Sequence, residues 1–455
     1  MITLAEIAGA VGGHVFGTAG RVTGVVTDTR AMTPGCLFVA LRGERYDGHD
    51  FLRTAHSLGA AAALTDRPPE AGWPVCVVVR DTRIALGQLA AYWRRRMTAK
   101  VVAVTGSNGK TSVKEMIAQI LARSGSVLAT EGNLNNDIGM PLTLLRLRAE
   151  HRYAVVEMGM NRPGEIAALA AIAAPDVGVV TNAGSAHLAG LGSVQAIAEE
   201  KGQVYSALSR QGTAVINADD AFAAYWRGLS GGDVLTYGLQ APADVSATYA
   251  LDALGSDVVM QASAWSGPLS VRLGLLGRHN VQNALAATAV ALSLGVAPST
   301  IAAGLSAVQP IHGRLESGLG YSGSRVIDDT YNANPDSARA ALDVLASLPG
   351  ERWFVLGDMA ELGPDSVLLH GVFGAAAAHA GIDHLWTLGA LAQHASQSFG
   401  AKGRHYDDVE TLTQDLRNVM HDQAVVLVKG SRSMRMERVV TALQAQGGRD
   451  AAAAL

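Results

Sequence analysis

The chain has 455 residues, of which 49% are hydrophobic and 17% are charged, and its formal net charge is -4. This length predicts about three domains of roughly 150 residues each, and the composition is that of a globular protein, which excludes a disordered chain. The small negative charge, without a long basic run, argues against nucleic-acid binding, because that affinity depends on clustered Lys and Arg.

The pattern of apolar runs divides the chain into three predicted segments, residues 1–98, 99–312 and 313–455. In the first segment, β-branched runs within "RVTGVVTDTRAMTPGCLFVALRG" are separated by turn residues and predict short strands. A helix-like stretch, "RIALGQLAAYWRRRM", closes this segment. We expect a small N-terminal α/β domain here.

The second segment alternates short apolar runs with amphipathic stretches. The predicted buried strands are "VVAV", "YAVVEMG" and "VGVVTN", and the predicted helices between and after them are "VKEMIAQIL" and "EIAALAAIA". This alternation predicts a parallel sheet with helices on both faces. Residues 230–275 are more polar and strand-like, which predicts an antiparallel insert or edge, and "HNVQNALAATAVALSLG" predicts a helix that ends at Gly295.

The third segment contains four apolar runs, which are separated by Ala-rich stretches with a helical pattern. The runs are "SRVIDDTY", "RWFVLGDM", "DHLWTLG" and "QAVVLVKGS". They predict a second, doubly wound α/β unit of the Rossmann type. We expect the last residues, "GGRDAAAAL", to fray. The predicted fold is therefore α/β with three domains, the central one resembling a P-loop ATPase.

Cysteine usage and hydropathy indicate the cellular setting. Cys36 and Cys76 are too few for a disulfide framework and form no C-x-x-C pattern, which favours a reduced compartment. No stretch approaches the ~20 apolar residues of a membrane helix, and the N-terminus lacks the basic start of a signal peptide. We therefore expect a cytoplasmic protein with no membrane span and, because no self-complementary apolar stripe is evident, a monomer.

The stretch "TGSNGKTS" lies between a predicted strand and a predicted helix, where a phosphate-binding loop would be. Gly106 and Gly109 allow the backbone to curl so that its N–H groups point inward. Lys110 is then in reach of the β- and γ-phosphates, and the Thr111 hydroxyl is a ligand for Mg²⁺. This context favours a phosphate loop over a plain strand-to-helix turn. Val104 stands where the usual pattern has its first glycine, so a switch, a motor, a kinase and a ligase all remain open.

Three residues after the loop are candidates for metal binding. Glu157 ends a predicted parallel strand, so it faces the same crevice as the loop, although an acidic residue at a solvated strand end is equally compatible with its position. His187 follows another strand and is either a metal or substrate ligand or a structural hydrogen-bonding group. The local sequence around Lys201 predicts a solvated lysine on a helix.

The loop pattern T-G-x-x-G-K-[ST] resembles that of the Mur ligase family, the ATP-dependent amide-forming enzymes of peptidoglycan precursor synthesis. Further blocks that resemble this family run in order through all three segments: "TDTRAMTPGCLFVALRGERYDGHDF", "GNLNNDIGMPLTLLRL", "EMGMNRPGEI", "AHLAGLGSVQAIAEEKG", "GRHNVQNALAA", "DDTYNANPDSARAAL", "LGDMAELG" and "VLVKGSR". They are most similar to the members that add D-alanyl-D-alanine. The D-N-P-R motif of the diaminopimelate-adding relatives is absent, and Thr111 stands where the folylpolyglutamate relatives typically have glycine.

The resemblance implies a metal centre and a set of catalytic residues. Two magnesium ions would be held by Thr111, Glu157, His187 and a carbamylated Lys201. Carbamylation turns a cation into an anionic oxygen ligand, which suits Mg²⁺. The implied catalytic residues are Lys110, Glu157, His187, Lys201 and Arg314.

The resemblance also implies the binding residues for each substrate. The implied ATP site consists of Gly106, Ser107, Asn108, Gly109, Lys110, Thr111, Ser112, Asn283, Arg314, Asp329, Tyr331, Asn332 and Asn334. The implied site for the uridine-diphosphate substrate consists of Thr29, Arg30, Asp47, Gly48, His49, Asn133, Asn135 and Asn136. Ordinary turns are the alternative for the two groups in this second set, since Asn, Asp and Gly favour turns. Arg432 would meet a D-alanyl carboxylate, with a surface ion pair as the alternative.

The implied reaction joins UDP-N-acetylmuramoyl-tripeptide to D-alanyl-D-alanine with ATP, through an acyl phosphate. Because the implied site is shared by three segments, we expect the domains to close on their substrates. We expect an open arrangement beforehand, with Arg314 far from Lys110. The alternatives are a related amide ligase with another acceptor and a non-catalytic, ATP-gated switch.

Overall fold

The computed structural model describes residues 2–18, 20–185 and 188–444. Within these residues the strands form four sheets, of two, five, nine and six strands. The three larger sheets follow one another along the chain and are flanked by helices. The predicted α/β class is therefore confirmed. Within the described residues, no helix is long and apolar enough to cross a membrane.

The N-terminal part is a small α/β unit. Its strands are β1 (Ile2–Thr3), β2 (His14–Phe16), β3 (Arg21–Val22), β4 (Val25–Val26), β5 (Leu37–Val39), β6 (Ala62–Thr65) and β7 (Val75–Val78), and its helices are α1 (Leu4–Val11), α2 (Leu52–Ser57) and α3 (Thr82–Arg95). The sheet order is β2-β7-β6-β5-β4, with β4 to β7 parallel. Helix α3 matches the predicted closing helix, and it begins where the Asp81 carboxylate accepts hydrogen bonds from the Arg83 and Ile84 amides.

The central part contains the nine-stranded sheet. Its strands are β8 (Lys100–Thr105), β9 (Val127–Ala129), β10 (Tyr153–Glu157), β11 (Val177–Val180), β12 (Thr213–Asn217), β13 (Asp233–Tyr237), β14 (Val245–Asp252), β15 (Gly255–Ala262) and β16 (Leu269–Leu273). Its helices are α4 (Lys110–Leu121), α5 (Gly139–Leu145), α6 (Glu165–Ala173), α7 (Leu188–Leu191), α8 (Val194–Ser206), α9 (Ala223–Leu229), α10 (Arg278–Ser293) and α11 (Pro298–Ser306).

The order of this sheet is β16-β15-β14-β13-β12-β11-β8-β10-β9. Strand β8 lies between the parallel strands β10 and β11, which explains its continuous apolar run. The predicted antiparallel edge is confirmed for β14, β15 and β16. It is wrong for β13, which pairs parallel to β12 and extends the buried sheet by one more strand.

The C-terminal part has a six-stranded sheet ordered β17-β18-β22-β19-β20-β21. Its strands are β17 (Glu316–Leu319), β18 (Arg325–Asp329), β19 (Glu351–Gly357), β20 (His384–Leu388), β21 (Gly403–Tyr406) and β22 (Ala424–Lys429), and its helices are α12 (Pro335–Ser347), α13 (Ser366–His379), α14 (Gln393–Phe399), α15 (Val409–Val419) and α16 (Glu437–Leu443). The four predicted strands are β18, β19, β20 and β22. The structure adds β21 and the antiparallel edge strand β17. The predicted C-terminal fraying lies outside the described residues.

Buried apolar side chains cover both faces of the two larger sheets. One of these cores is continuous from the N-terminal unit into the central sheet, since Leu37 and Leu89 belong to the same cluster as Val101 and Leu144. The N-terminal unit is therefore packed against the central sheet through apolar contacts. Strands β8, β10 and β11 end beside a cleft that β18 and β22 reach from the C-terminal sheet.

Candidate active site

The predicted phosphate loop connects β8 to α4, as the sequence indicated. Gly106 has φ +148°, and a Cβ at this position would lie 1.8 Å from the Thr181 hydroxyl oxygen, so only glycine fits. Gly109 is the N-cap of α4 and has φ +82°. Lys110 lies in the first turn of the helix, and its Nζ donates to the Gly106 carbonyl at 2.8 Å. The side chain of Lys110 is therefore folded over the backbone of the loop. The loop also lies at the N-terminus of α4, where the helix dipole favours anions.

The segment after β11 holds the loop in this shape. Asn182 Oδ1 accepts a hydrogen bond from the Asn108 amide at 3.0 Å, and the Thr181 hydroxyl donates to the Asn108 carbonyl at 2.6 Å. Ser107 Oγ contacts Gly184, accepting from its amide at 2.8 Å. These three contacts leave the inner face of the loop available for a ligand.

Glu157 ends β10 beside the loop and is 2% exposed. Its Oε2 accepts a hydrogen bond from the Thr111 hydroxyl at 2.9 Å, and its Oε1 accepts one from Asn135 Nδ2 at 2.7 Å. The structure therefore brings two of the predicted metal-binding residues together. It also gives Asn135 a contact that orients Glu157.

The two predicted active-site lysines are close enough to influence each other. Burial lowers the pKa of Lys110; Glu157 opposes this effect and Arg314 adds to it. Lys201 lies on α8 and is 1% exposed. Its burial lowers the pKa of Lys201 well below the ordinary value, with a further contribution from Lys110 and opposition from Glu200. Lys201 is therefore not the solvated helix lysine that its local sequence suggests.

Arg314, between α11 and β17, reaches the phosphate loop from the connection to the C-terminal sheet. Its Nη2 donates to the Thr111 hydroxyl oxygen at 2.9 Å, and its guanidinium carbon lies 4.2 Å from the centre of the Tyr331 ring. Its buried Nε has no hydrogen-bond partner within the described residues. A guanidinium in this position brings a positive charge to the phosphate loop.

The first turn of α12 also contacts the central part of the chain. Asn334, the N-cap of this helix, donates from Nδ2 to Asn108 Oδ1 at 2.9 Å. Asp336 accepts a hydrogen bond from the Ser185 amide at 2.6 Å. Together with Arg314, these contacts define a closed arrangement. The open arrangement that we expect before substrates bind, with Arg314 far from Lys110, stays a prediction.

Asp329 and Lys429, at the ends of β18 and β22, form an ion pair at 2.6 Å. Burial raises the pKa of Asp329, and the Lys429 ammonium opposes that effect. The neighbouring His279 begins α10, and burial together with Lys429 lowers the pKa of His279 to about 4. This side of the cleft therefore contains a neutral imidazole next to a paired carboxylate.

Most of these groups border one cleft of about 840 Å³. The predicted residues that line it are Ser107, Asn108, Gly109, Lys110, Thr111, Ser112, Asn133, Asn135, Glu157, Asn283, Arg314, Asp329, Tyr331, Asn332, Asn334 and Arg432. Gly106 and Lys201 lie behind this lining. Arg432 is at the rim and forms an ion pair with Glu437 at 3.4 Å, so the surface ion pair that the sequence left open is present. His187 lies outside the described residues.

Five further predicted residues lie on the N-terminal sheet, apart from this cleft. Thr29 and Arg30 follow β4, and Asp47, Gly48 and His49 follow the parallel neighbour β5, so both groups lie at the carboxyl edge. Asp47 accepts from His49 Nδ1 and from Arg67 Nη2, both at 2.5 Å. A Cβ at Gly48 would lie 2.7 Å from the Leu41 amide nitrogen, which requires glycine there.

Asn136, in the segment before α5, has the structural role that the sequence left open as an alternative. Its Oδ1 accepts hydrogen bonds from the Ile138 and Gly139 amides at 3.2 and 2.8 Å. It therefore stabilises a turn, as Asn often does.

The comparison with known proteins covers almost the entire chain. UDP-N-acetylmuramoyl-tripeptide--D-alanyl-D-alanine ligase from Escherichia coli (strain K12) is 44% identical over 451 residues, which is 98% of this chain and 99% of that protein. The chain belongs to the Mur ligase family. Three domain models of this family match successive parts of the chain. They are "Mur ligase family, catalytic domain" over residues 21–94, "Mur ligase middle domain" over 104–291 and "Mur ligase, glutamate ligase domain" over 313–432.

Solved structures of Mur ligases have the same three-part fold. A crystal structure of MurF from Acinetobacter baumannii superposes with a TM-score of 0.90 at 37% identity and covers 96% of this chain and 97% of that one. A MurF ligase from Thermotoga maritima, crystallised in complex with ADP, has a TM-score of 0.83 at 29% identity and covers 92% of this chain and 97% of that one.

Sequence reasoning missed several residues of this Mur ligase cleft. Thr181, Asn182 and Gly184 directly follow β11, a predicted parallel strand next to β8. Their position at a carboxyl edge was a signal that they contact the loop. Lys429 ends the predicted strand β22 beside the parallel strand β18, so the same signal applied to it. Asp336 had no comparable signal, because its contact with Ser185 depends on how the C-terminal sheet docks.

Proposed function

We propose that the protein is an ATP-dependent ligase that joins D-alanyl-D-alanine to UDP-N-acetylmuramoyl-tripeptide, giving the pentapeptide product, ADP and phosphate. The observation that carries this proposal is the full-length likeness to a ligase of that name, combined with a phosphate loop that meets Glu157 and Arg314 in one cleft. The ADP complex of the Thermotoga maritima relative supports the use of ATP.

The chemistry explains why this cleft has so many charged groups. A carboxylate and an amine do not condense in water, because oxide is a poor leaving group. ATP transfers its γ-phosphoryl group to the tripeptide carboxylate, which gives an acyl phosphate and ADP. The dipeptide amine then attacks the acyl carbon, and phosphate leaves. Both steps bring anions together, so positioning and charge neutralisation account for most of the catalysis.

Lys110 and Arg314 are the cations that neutralise the transferring phosphoryl group. Lys110 approaches it from the loop, and Arg314 approaches from the connection to the C-terminal sheet, with its position maintained by Tyr331. Ser107, Asn108, Gly109 and Ser112 would contribute loop contacts to the phosphates. Holding the reactants in line contributes roughly 7–11 kcal/mol to lowering the barrier.

Thr111 and Glu157 fit a magnesium site. Their oxygen atoms lie 2.9 Å apart, and hard cations prefer hydroxyl, carboxylate and phosphate oxygens. We propose that these residues, with His187 and a modified Lys201, hold two magnesium ions. When bound, magnesium neutralises charge on the transferring phosphoryl group.

Carbamylation of Lys201 is supported by its burial and lowered pKa. A neutral amine is the form that adds to carbon dioxide; the N–C bond forms, one proton leaves, and the product is an anionic carbamate. A carbamate has two oxygens that are suited to Mg²⁺. A protonated lysine in the same buried position would carry a charge that Glu200 offsets only in part, which is costly.

The remaining residues are proposed to bind the substrates. Asn283 would contact adenine, and Asp329, Tyr331, Asn332 and Asn334 would contact the ribose side of the nucleotide. Thr29, Arg30, Asp47, Gly48 and His49 would bind the uridine diphosphate on the N-terminal sheet, since Arg30 is exposed and a guanidinium binds diphosphate well. Asn133, Asn135 and Asn136 would line the path of the muramoyl-tripeptide. Arg432, at the rim, would meet the D-alanyl carboxylate.

We also propose that the three sheets correspond to three domains, with boundaries at residues 98/99 and 312/313. Support comes from the gaps between α3 and β8 and between α11 and β17, each of which is free of regular structure. We propose a cytoplasmic monomer that acts without nucleic acid and without a membrane span.

The decisive experiment is mass spectrometry of the product formed from ATP, UDP-N-acetylmuramoyl-tripeptide and D-alanyl-D-alanine. We expect the pentapeptide product and a Lys110→Ala variant that forms none. Phosphate release with free amino acids in place of the dipeptide would favour a related ligase with another acceptor. Nucleotide turnover that depends on neither substrate would favour a switch protein and would contradict the proposal.

A further inference from the structure

Three metal-ligating side chains converge at the connection between α11 and β17, outside the cleft. His312 Nδ1 lies 3.0 Å from Glu316 Oε2 and 3.8 Å from Asp328 Oδ2. One ligand atom from each residue lies within 4.8 Å of the others. The proposed function leaves His312, Glu316 and Asp328 without a role.

The strand register forces the two carboxylates together. Glu316 on β17 is the direct antiparallel partner of Asp328 on β18, so both side chains leave the same face of the sheet. Like charges directly opposite each other destabilise a strand pair. A cation between the two carboxylates removes that repulsion, and the His312 ring projects to the same point.

Asp328 is oriented in a way that points to a ligand. Its side chain is only 5% exposed, and its Oδ1 accepts hydrogen bonds from both the Thr330 amide and the Thr330 hydroxyl, at 3.0 and 2.6 Å. Its Oδ2 faces the cluster, where the 3.8 Å separation from His312 is longer than a hydrogen bond. One oxygen of this largely buried side chain is thus directed at His312 and Glu316.

The separations match a small tetrahedral ion. Ligand bonds of about 2.0–2.2 Å at a tetrahedral angle give ligand atoms about 3.4 Å apart. The observed 3.0 and 3.8 Å lie on either side of that value. An imidazole nitrogen with two carboxylate oxygens is a donor set for Zn²⁺ and similar transition metals, whereas Mg²⁺ and Ca²⁺ prefer oxygen alone.

We propose that His312, Glu316 and Asp328 form a divalent-cation site of the zinc class, with water as the fourth ligand. The metal replaces the proton on His312 Nδ1 and bridges the connection to the β17–β18 hairpin. His312 is two residues from Arg314, and Asp328 adjoins Asp329, so metal binding braces both residues at the cleft from outside.

The test is a calorimetric titration of Zn²⁺ into the full chain near neutral pH, without ATP and with excess Mg²⁺ to occupy the oxygen-rich cleft. His312→Gln and Glu316→Gln each remove one ligand from an exposed or half-exposed position, so both variants are expected to fold. Because losing even an outer partner of a metal site costs about 10–100-fold in affinity, each variant should bind this Zn²⁺ at least ~10-fold more weakly.

His56→Gln is the matched control, since His56 is exposed on α2, far along the chain from the cluster. It should bind Zn²⁺ like the unmodified chain. X-ray absorption at the zinc edge should show one imidazole that is lost in His312→Gln. Equal Zn²⁺ affinity in all four proteins, or an absorption spectrum unchanged by His312→Gln, would overturn the proposal.

Discussion

Arg314 Nη2 lies 2.9 Å from the Thr111 hydroxyl oxygen, although the two residues are separated by 203 positions in the chain. Thr111 lies in the first turn of the helix that follows the phosphate loop, whereas Arg314 belongs to the connection that leads to the C-terminal sheet. The contact therefore couples the docking of that sheet to the completion of the phosphate site. The Tyr331 ring, 4.2 Å from the guanidinium, keeps Arg314 in this position.

Replacing Arg314 with alanine should lower kcat by about 100–1,000-fold, the usual effect of losing one donor to developing charge. Arg314→Lys should recover only part of this loss, because an ammonium has neither the fixed, planar fork of donors nor the planar contact with Tyr331. Phosphate release in the presence of both substrates measures kcat. Arg339→Lys is the matched control, since Arg339 pairs with Asp343 on the exposed side of α12. An Arg314→Ala variant with unchanged kcat would contradict the assigned role.

The sequence predicted those parts of the fold that depend on local pattern. Strands β8, β10 and β11 have uninterrupted apolar runs because neighbours cover both faces, and each was predicted. Strands β9, β17 and β21 have only three or four residues each and no clear period, so they were missed. The parallel pairing of β13 was also missed, because a half-polar strand has the same pattern at a parallel or an antiparallel edge.

The site was predictable to a similar extent. Lys110 and Thr111 belong to a local motif. The position of Glu157 at a strand end made it a candidate, which the family resemblance then favoured over a solvated acidic residue. The contacts of Asn334 with Asn108 and of Asp336 with Ser185 depend on the docking of two sheets, which no local pattern encodes. Closure itself was predicted from the division of the site among three segments, but these particular contacts were not.

Asn334→Ala should separate helix capping from the contact with the loop. Asn334 caps α12 by accepting from the Ser337 amide at 2.9 Å, and it also donates to Asn108. Loss of the cap should lower the free energy of unfolding by about 1 kcal/mol. Loss of the second hydrogen bond should raise KM for ATP about threefold to tenfold, the range that corresponds to one such bond.

Asp408→Ala is the control for this experiment. Asp408 caps α15 by accepting from the Thr411 amide at 2.7 Å and does not line the cleft. It should cost a similar free energy of unfolding in urea titration while leaving KM for ATP unchanged. If both variants raise KM equally, Asn334 acts through helix stability alone.

His279 should make the stability of the protein dependent on pH. Burial, with a contribution from Lys429, lowers the pKa of His279 from 6.5 to about 4 in the folded state. Between these values the unfolded chain binds a proton that the folded chain does not, so this contribution is complete above pH 6.5 and is lost as pH falls towards 4. At about 1.4 kcal/mol per pKa unit, the loss amounts to about 3 kcal/mol.

Urea unfolding from neutral pH down to moderately acidic pH measures this effect. Because other groups titrate in the same range, the informative quantity is the difference between the unmodified chain and His279→Gln, which cannot gain the proton. The variant should lose less stability on acidification. His56→Gln, which removes an exposed histidine, should follow the unmodified chain. Parallel curves for all three proteins would show that His279 is not held neutral by the fold.

Lys201 should carry an added carbon dioxide in the native protein. Its side chain is 1% exposed, and burial lowers the pKa of Lys201, which leaves the neutral amine that carbon dioxide requires. Native mass spectrometry in bicarbonate should show this mass, which Lys201→Ala and Lys201→Arg should both lack. Lys201→Ala should also lose activity and regain part of it with acetate or formate, because a short carboxylate supplies the missing oxygens. Lys201→Arg should not be rescued, since the guanidinium occupies the space. Full activity of Lys201→Ala without any added carboxylate would show that the reaction needs no carbamate here.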